Sequence, residues 1–171
     1  MQIAVTSPSV DTAGAPRVLV VDDNDDKRFL LRRILDKTFD VLEADNGASA
    51  LEIIGEALPD VVLLDVLMPR IDGFEVCRRM KSDPRTAEIP VLFVSVLDPD
   101  QHVVEGLRLG GEDFINWPVN ATELVARIQA RIRSYRPLSR LRRVVREQSL
   151  QLEEDRRRES ETEFELEQAR R

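Results

Sequence analysis

The sequence predicts an α/β protein: a five-stranded, parallel, doubly wound sheet followed by a C-terminal coiled-coil helix. Two observations predict the sheet. From Arg17 onward, short apolar runs alternate five times with amphipathic stretches, the signature of successive strand and helix units in a parallel sheet. Three of the runs are rich in β-branched residues, which suit strands buried on both faces. A third observation predicts the terminal helix: beyond Pro137, apolar residues recur at spacings of three and four.

Residues 1–16 mix Thr, Ser, Pro, Gly and Asp without periodicity and read as a disordered leader. The globular domain is expected over 17–136. Its strands are expected at Val18-Leu19-Val20-Val21, Val41-Leu42, Val61-Val62-Leu63-Leu64, Val91-Leu92-Phe93-Val94 and Phe114-Ile115. Helices are expected at about 26–37, 47–57, 73–81, 100–109 and 121–136, each short enough to serve as a crossover. The corner Asp45-Asn46-Gly47 has the residues of a turn and helix start and needs no further explanation. Phe74, Cys77 and Met80 fall at helical spacing, so Cys77 reads as a buried apolar thiol. His102 lies in a polar helix start and is expected to be solvated.

Residues 137–171 read as a coiled-coil linker helix. Pro137 breaks or kinks the join to the preceding helix. Leu138, Leu141, Val145 and Leu152 then follow a coiled-coil seam, with Gln148 filling one place, and 138–152 is expected to form a homodimer. Beyond Leu152 the same register meets Asp155, Glu159 and Thr162, and 13 of the 19 residues from 153 to 171 are charged, so that end is expected to fray. The helical pattern runs to Arg171 without a terminating Gly, Asn or Pro, as in a fragment that lacks a following output domain.

Composition excludes several functions. With 25 basic and 32 acidic side chains in 171 residues, the formal charge is -7, which disfavours direct nucleic-acid binding. The charge is localised: residues 138–171 carry nine Arg against nine acidic groups, so the whole excess lies in 1–137. No apolar run approaches the roughly 18–20 residues of a membrane span, and no secretory signal opens the chain, so a cytoplasmic location is expected. A single cysteine, Cys77, and a single histidine, His102, exclude an internal disulfide, a Cys/His zinc site and a His-based triad.

What the chain has is carboxylates at strand ends. The first run ends in Asp22-Asp23, the third in Asp65, the fourth in Ser95, and the fifth leads into Asn116-Trp117-Pro118. In a doubly wound sheet the ligand site lies beyond the carboxyl ends of the strands, near the switch in strand order. Three carboxylates there repel one another and are costly unless protonated or bridged by a cation. Oxygen ligands without His or Cys favour Mg2+ or Mn2+. Beside such an ion Asp65 is placed to act as a nucleophile toward a phosphoryl group.

The stretches Val21-Asp22-Asp23-Asn24, Leu64-Asp65-Val66-Leu67-Met68-Pro69-Arg70-Ile71-Asp72-Gly73, Ser95 and Asp113-Phe114-Ile115-Asn116-Trp117-Pro118 resemble, in order and spacing, the receiver domain of bacterial two-component response regulators. The resemblance covers about residues 17–136 and implies a flavodoxin-like sheet in a signal-transduction phosphoprotein. It implies that Asp65 is the phosphoacceptor in a phosphorelay from a sensor histidine kinase or phosphotransfer protein. It makes Asp23 a direct metal ligand, Asp22 a ligand through water, and Leu67 a ligand through its backbone carbonyl. Ser95 takes the place of the switch hydroxyl, and Phe114 the aromatic switch position without a Tyr hydroxyl. The bond before Pro118 is expected to be cis. The resemblance implies a regulatory domain rather than an autonomous enzyme. A diguanylate cyclase, serine/threonine phosphatase, nucleotide cyclase or histidine kinase is the kind of output expected outside this chain. Phosphatases of the haloacid-dehalogenase type need a second Asp two residues after the nucleophile, where this chain has Leu67.

Two departures stand out. The family places a Lys immediately before the Pro that corresponds to Pro118, and here that residue is Trp117, which carries no charge. The chain has only three lysines, Lys27, Lys37 and Lys81. Lys27, four residues past Asp23, is expected to point outward from its helix and to be a poor substitute. Trp117 therefore leaves two readings: a phosphoacceptor with atypical switching, or a phosphorylation-independent pseudo-receiver serving as an interaction and dimerisation module. The milder departure is Val96, bulkier than the Ala or Gly usual after Ser95.

Overall fold

Local sequence chemistry punctuates the chain at the edge where the carboxylates were expected. Asn24 caps one helix by accepting a hydrogen bond from the Lys27 N–H, Asn46 caps the next through the Ala48 and Ser49 N–H groups, and Asp72 a third through that of Glu75. The computed structural model describes residues 15–96 and 99–135 and the single position 156. Within them run β1 (Arg17–Val21), α1 (Asp25–Leu35), β2 (Asp40–Ala44), α2 (Gly47–Ala57), β3 (Val61–Leu64), α3 (Gly73–Ser82), β4 (Val91–Ser95), α4 (Pro99–Arg108) and β5 (Asp113–Asn116). A fifth helix, α5, covers 121–135.

All pairings are parallel, in the order β2-β1-β3-β4-β5. This is the doubly wound sheet that the alternating pattern predicts, with its switch in strand order at β1 and β3. Strand burial follows the β-branched content: β3 and β4 are buried throughout, as is β1 after Arg17, whereas β2 and β5 at the edges are partly open. Each large aliphatic side chain taken fully out of water contributes about 1.5–3 kcal/mol. On one face Leu31 and Leu35 of α1 join Leu124, Ile128 and Ile132 of α5 over Val18, Val20, Leu63, Val94 and Ile115. Toward the other face Phe74 of α3 meets Phe93 of β4 edge-on at 5.3 Å, and Gly106 of α4 lies against the same ring.

Cys77 is fully buried, and desolvation pushes its thiol above the ordinary value. The expectation for His102 is corrected. Its ring is half-buried and stacks on Phe74 at 6.2 Å, because α4 turns this position toward the aromatic layer rather than to water. Among the described residues its Nδ1 is buried without a hydrogen-bond partner. None of the described helices is long and apolar enough to cross a membrane. Residues 1–14 of the expected leader and, apart from position 156, the expected coil over 137–171 with its expected dimerising stretch 138–152 lie outside the described residues.

Candidate functional site

The register of the two central strands brings the carboxylates together. Val21 pairs with Leu64, and the Asp65 N–H donates to the Val21 carbonyl at 2.9 Å, so Asp22 and Asp65 leave the sheet side by side. Asp22 is 2% and Asp65 6% exposed, whereas Asp23 is exposed. Carboxylate oxygens of all three lie within 4.8 Å of one another. Asp22 Oδ1 also accepts the Asn24 N–H at 2.9 Å, which ties the acidic turn to the cap of α1.

Lys27 overturns its expected placement. Its side chain points inward, and its Nζ lies 2.6 Å from Asp22 Oδ2 and donates to Asp65 Oδ1 at 3.0 Å and to the Val94 carbonyl at 3.1 Å. The cause is helical periodicity. Lys27, Leu31 and Leu35 are the buried residues of α1, a stripe at intervals of four that faces the sheet. That spacing was legible in the sequence, and the charge of Lys27 concealed it. The long apolar stem runs along the buried stripe while the head reaches the carboxylates.

Trp117, at the position where a lysine was expected, holds the other side of this ammonium. Its ring centroid is 5.5 Å from Lys27 Nζ, within the range of a cation–π contact, and the indole packs against the apolar cluster shared by α1 and α5. The Trp117 N–H donates to the Ser95 carbonyl at 2.9 Å, and the Trp117–Pro118 bond is cis, as the resemblance implied. Ser95 is fully buried at the end of β4, opposite Asn116 of β5. Phe114 is half-buried, 6.1 Å from the Phe93 ring, while Leu67 and Val96 are exposed. The loop from β3 to α3 closes tightly on Asp65. The Gly73 N–H donates to the Val66 carbonyl at 3.0 Å, and a Cβ on Gly73 would fall 2.1 Å from the Asp65 carbonyl oxygen. Only glycine fits there.

Burial raises the Asp65 pKa, and the neighbouring Lys27 opposes that rise through charge and hydrogen bonding. When ionised, Asp22, Asp23 and Asp65 with the Lys27 ammonium sum to two negative charges, the complement of one divalent cation. The donors are oxygens only and one of the three carboxylates is open to solvent, so the residues present fit Mg2+ or Mn2+.

Residues 18–129 match the family described as response regulator receiver domain. The chain belongs to this family. It is 40% identical over 115 residues to the response regulator PleD of Caulobacter vibrioides, an alignment covering 67% of this chain and 25% of PleD. It is 39% identical over 122 residues to the response regulator MprA of Mycobacterium leprae, covering 71% of this chain and 53% of MprA. The chain thus spans between a quarter and about half of these curated relatives. The crystal structure of a response regulator from Chloroflexus aurantiacus superposes with a TM-score of 0.67 at 31% identity, covering 69% of this chain and 98% of that one. Receiver domains are regulatory, bind Mg2+ at the acidic pocket, and interact with histidine kinases or phosphotransfer proteins.

Proposed function

We propose that this receiver accepts a phosphoryl group on Asp65 and relays the change to an output domain. The observation that carries the reading is Asp65 itself: a buried carboxylate at the switch point of the sheet, flanked by Asp22 and Asp23 and in contact with an ammonium. Asp22, Asp23, Asp65 and the Leu67 carbonyl are the groups that would hold Mg2+, which when bound supplies positive charge to the phosphoryl oxygens. An Asp65 carboxylate oxygen forms a bond to phosphorus as the P–N bond of a phosphohistidine breaks and the imidazole nitrogen keeps the electron pair. Water later attacks phosphorus, the P–O bond to Asp65 breaks, and inorganic phosphate leaves.

Ser95, at the end of the neighbouring strand, is the hydroxyl that meets the new phosphoryl oxygens, and Phe114 is the aromatic group that responds to its movement. The apolar spacing of 138–152 supports a dimerising helix as the relay. The inward Lys27 supports the phosphoacceptor reading over a pseudo-receiver that signals by contacts alone, because the case for the latter rested on a missing amine.

The test is incubation with Mg2+ and acetyl phosphate, followed by intact-mass analysis of the wild type and of Asp65→Asn. One phosphoryl group is expected on the wild type, with a loss of at least about 100-fold in the variant, the scale of effect when a reacting group is removed. Equal labelling of the two proteins, or none on the wild type at saturating donor, would reject the assignment.

A further inference from the structure

We propose that the cationic group of this site has changed its place in the chain: Lys27, entering from the first turn of α1, supplies the ammonium that neutralises Asp65 and meets the phosphoryl group, and Trp117 is the positioning residue that holds it. The inference rests on Asp65 being the phosphoacceptor, and goes beyond it by naming which residue provides the charge.

Three features separate this arrangement from a chance ion pair. The ammonium is desolvated, since Lys27 is 9% exposed, and its polar partners among the described residues converge on the site: Asp22, Asp65 and the carbonyl of Val94, the residue before Ser95. Its backbone is anchored in the same place, for the Lys27 N–H is the donor that the Asn24 cap accepts at 2.9 Å. The indole then occupies the remaining flank. Trp117 and α1 pack on the same face of the sheet, so a residue at 117 and a side chain from position 27 compete for the same space beside the carboxylates. A lysine at 117 would set two ammonium groups against each other. A neutral aromatic face there attracts the one from Lys27 instead. On this view the aromatic residue before Pro118 and the lysine four residues after Asp23 are one exchange.

A phosphoryl on Asp65 places negative oxygens where the Lys27 ammonium already contacts Oδ1, so the contact strengthens as charge develops, whereas an ammonium free in solvent would have to be desolvated first.

The experiment uses the full chain in four forms: wild type, Lys27→Met, Trp117→Lys, and the double variant. Folding of each is checked by circular dichroism in Mg2+, with Lys27→Gln as the substitute should Lys27→Met fail to fold. Phosphate uptake from acetyl phosphate is expected to fall by about 100-fold in Lys27→Met, the low end of the scale for removing one preorganised electrostatic group. The double variant is expected to regain most of it, because the ammonium returns from the other side. Trp117→Lys alone is expected to take up less than the double variant, since two cations crowd one site. A readout independent of phosphate comes from Trp117, the single tryptophan of the chain, whose fluorescence is expected to follow a Mg2+ titration because its ring contacts the Lys27 ammonium. Lys27→Met is expected to bind Mg2+ several-fold more tightly, because a competing cation has left the cluster. Labelling of wild type and Lys27→Met at equal rates, or a double variant as inactive as Lys27→Met, overturns the exchange. A wild type that takes no phosphate would instead reject the reading of Asp65, while the Mg2+ titration would still decide whether Lys27 shares its site.

Discussion

Two of the three lysines turn inward, Lys27 at the start of α1 and Lys81 at the end of α3, and they bury their charge in different company. Lys27 meets two carboxylates and a carbonyl. Lys81 donates to the carbonyls of Ala87 and Ile89, at 3.0 and 2.9 Å, and its stem packs beside Gly110. Carbonyls satisfy the donors of an ammonium without cancelling its charge, and they need nothing in return. Buried carboxylates do need it, because each is costly without a partner. The same residue type is therefore a loop fastener at one position and part of a charge balance open to a further ion at the other.

Replacing Lys27 by Met should break this comparison most visibly. In chelator it leaves Asp22 and Asp65 without their cation, and a loss of about 3–5 kcal/mol is expected from urea unfolding, with Mg2+ restoring part of it. An unchanged unfolding midpoint in chelator would mean that the buried contacts carry no net stability. Replacing Lys81 by Met removes two charge-assisted hydrogen bonds to carbonyls, for which about 2 kcal/mol is expected. The same loss should appear with and without Mg2+, and a metal-dependent difference would erase the distinction between the two lysines.

The smallest effect concerns the acid beside Lys81. Burial raises the Cys77 thiol above its ordinary 9.0, with Lys81 acting in the opposite direction. The folded protein then keeps its proton at pH values where the unfolded chain has lost it. Stability contributed by this group is complete below pH 9.0 and falls as pH rises past it. The slope is at most about 1.4 kcal/mol per pH unit. Urea unfolding between pH 8 and 10 should show a shallower decline in Cys77→Ala than in wild type; parallel declines would contradict the shift.

Most of the architecture was legible because strand and helix periodicities are local. The runs Val61–Leu64 and 47–57 coincide with β3 and α2, and the other elements differ by a residue or two where polar ends such as Arg17, Asp40 and Ser95 extend a strand by pairing rather than by apolar content. The cluster of Asp22, Asp23 and Asp65 was legible too, since strand ends in a parallel sheet share an edge. Lys27 and His102 were not. Polarity alone places each in water, whereas burial follows position on the helix and whatever the neighbouring elements offer.

The sequence by itself determined the doubly wound sheet, the edge at which three carboxylates meet and the absence of a lysine before Pro118. Periodicity and strand-end position are properties of neighbouring residues, so no tertiary information was needed. Only the tertiary structure decided that the site has an ammonium after all. Lys27 and Asp65 are 38 residues apart in the chain. What joins them is the packing of α1 onto the same face of the sheet as Trp117, which turns a helix position four residues from Leu31 into the wall of the acidic pocket.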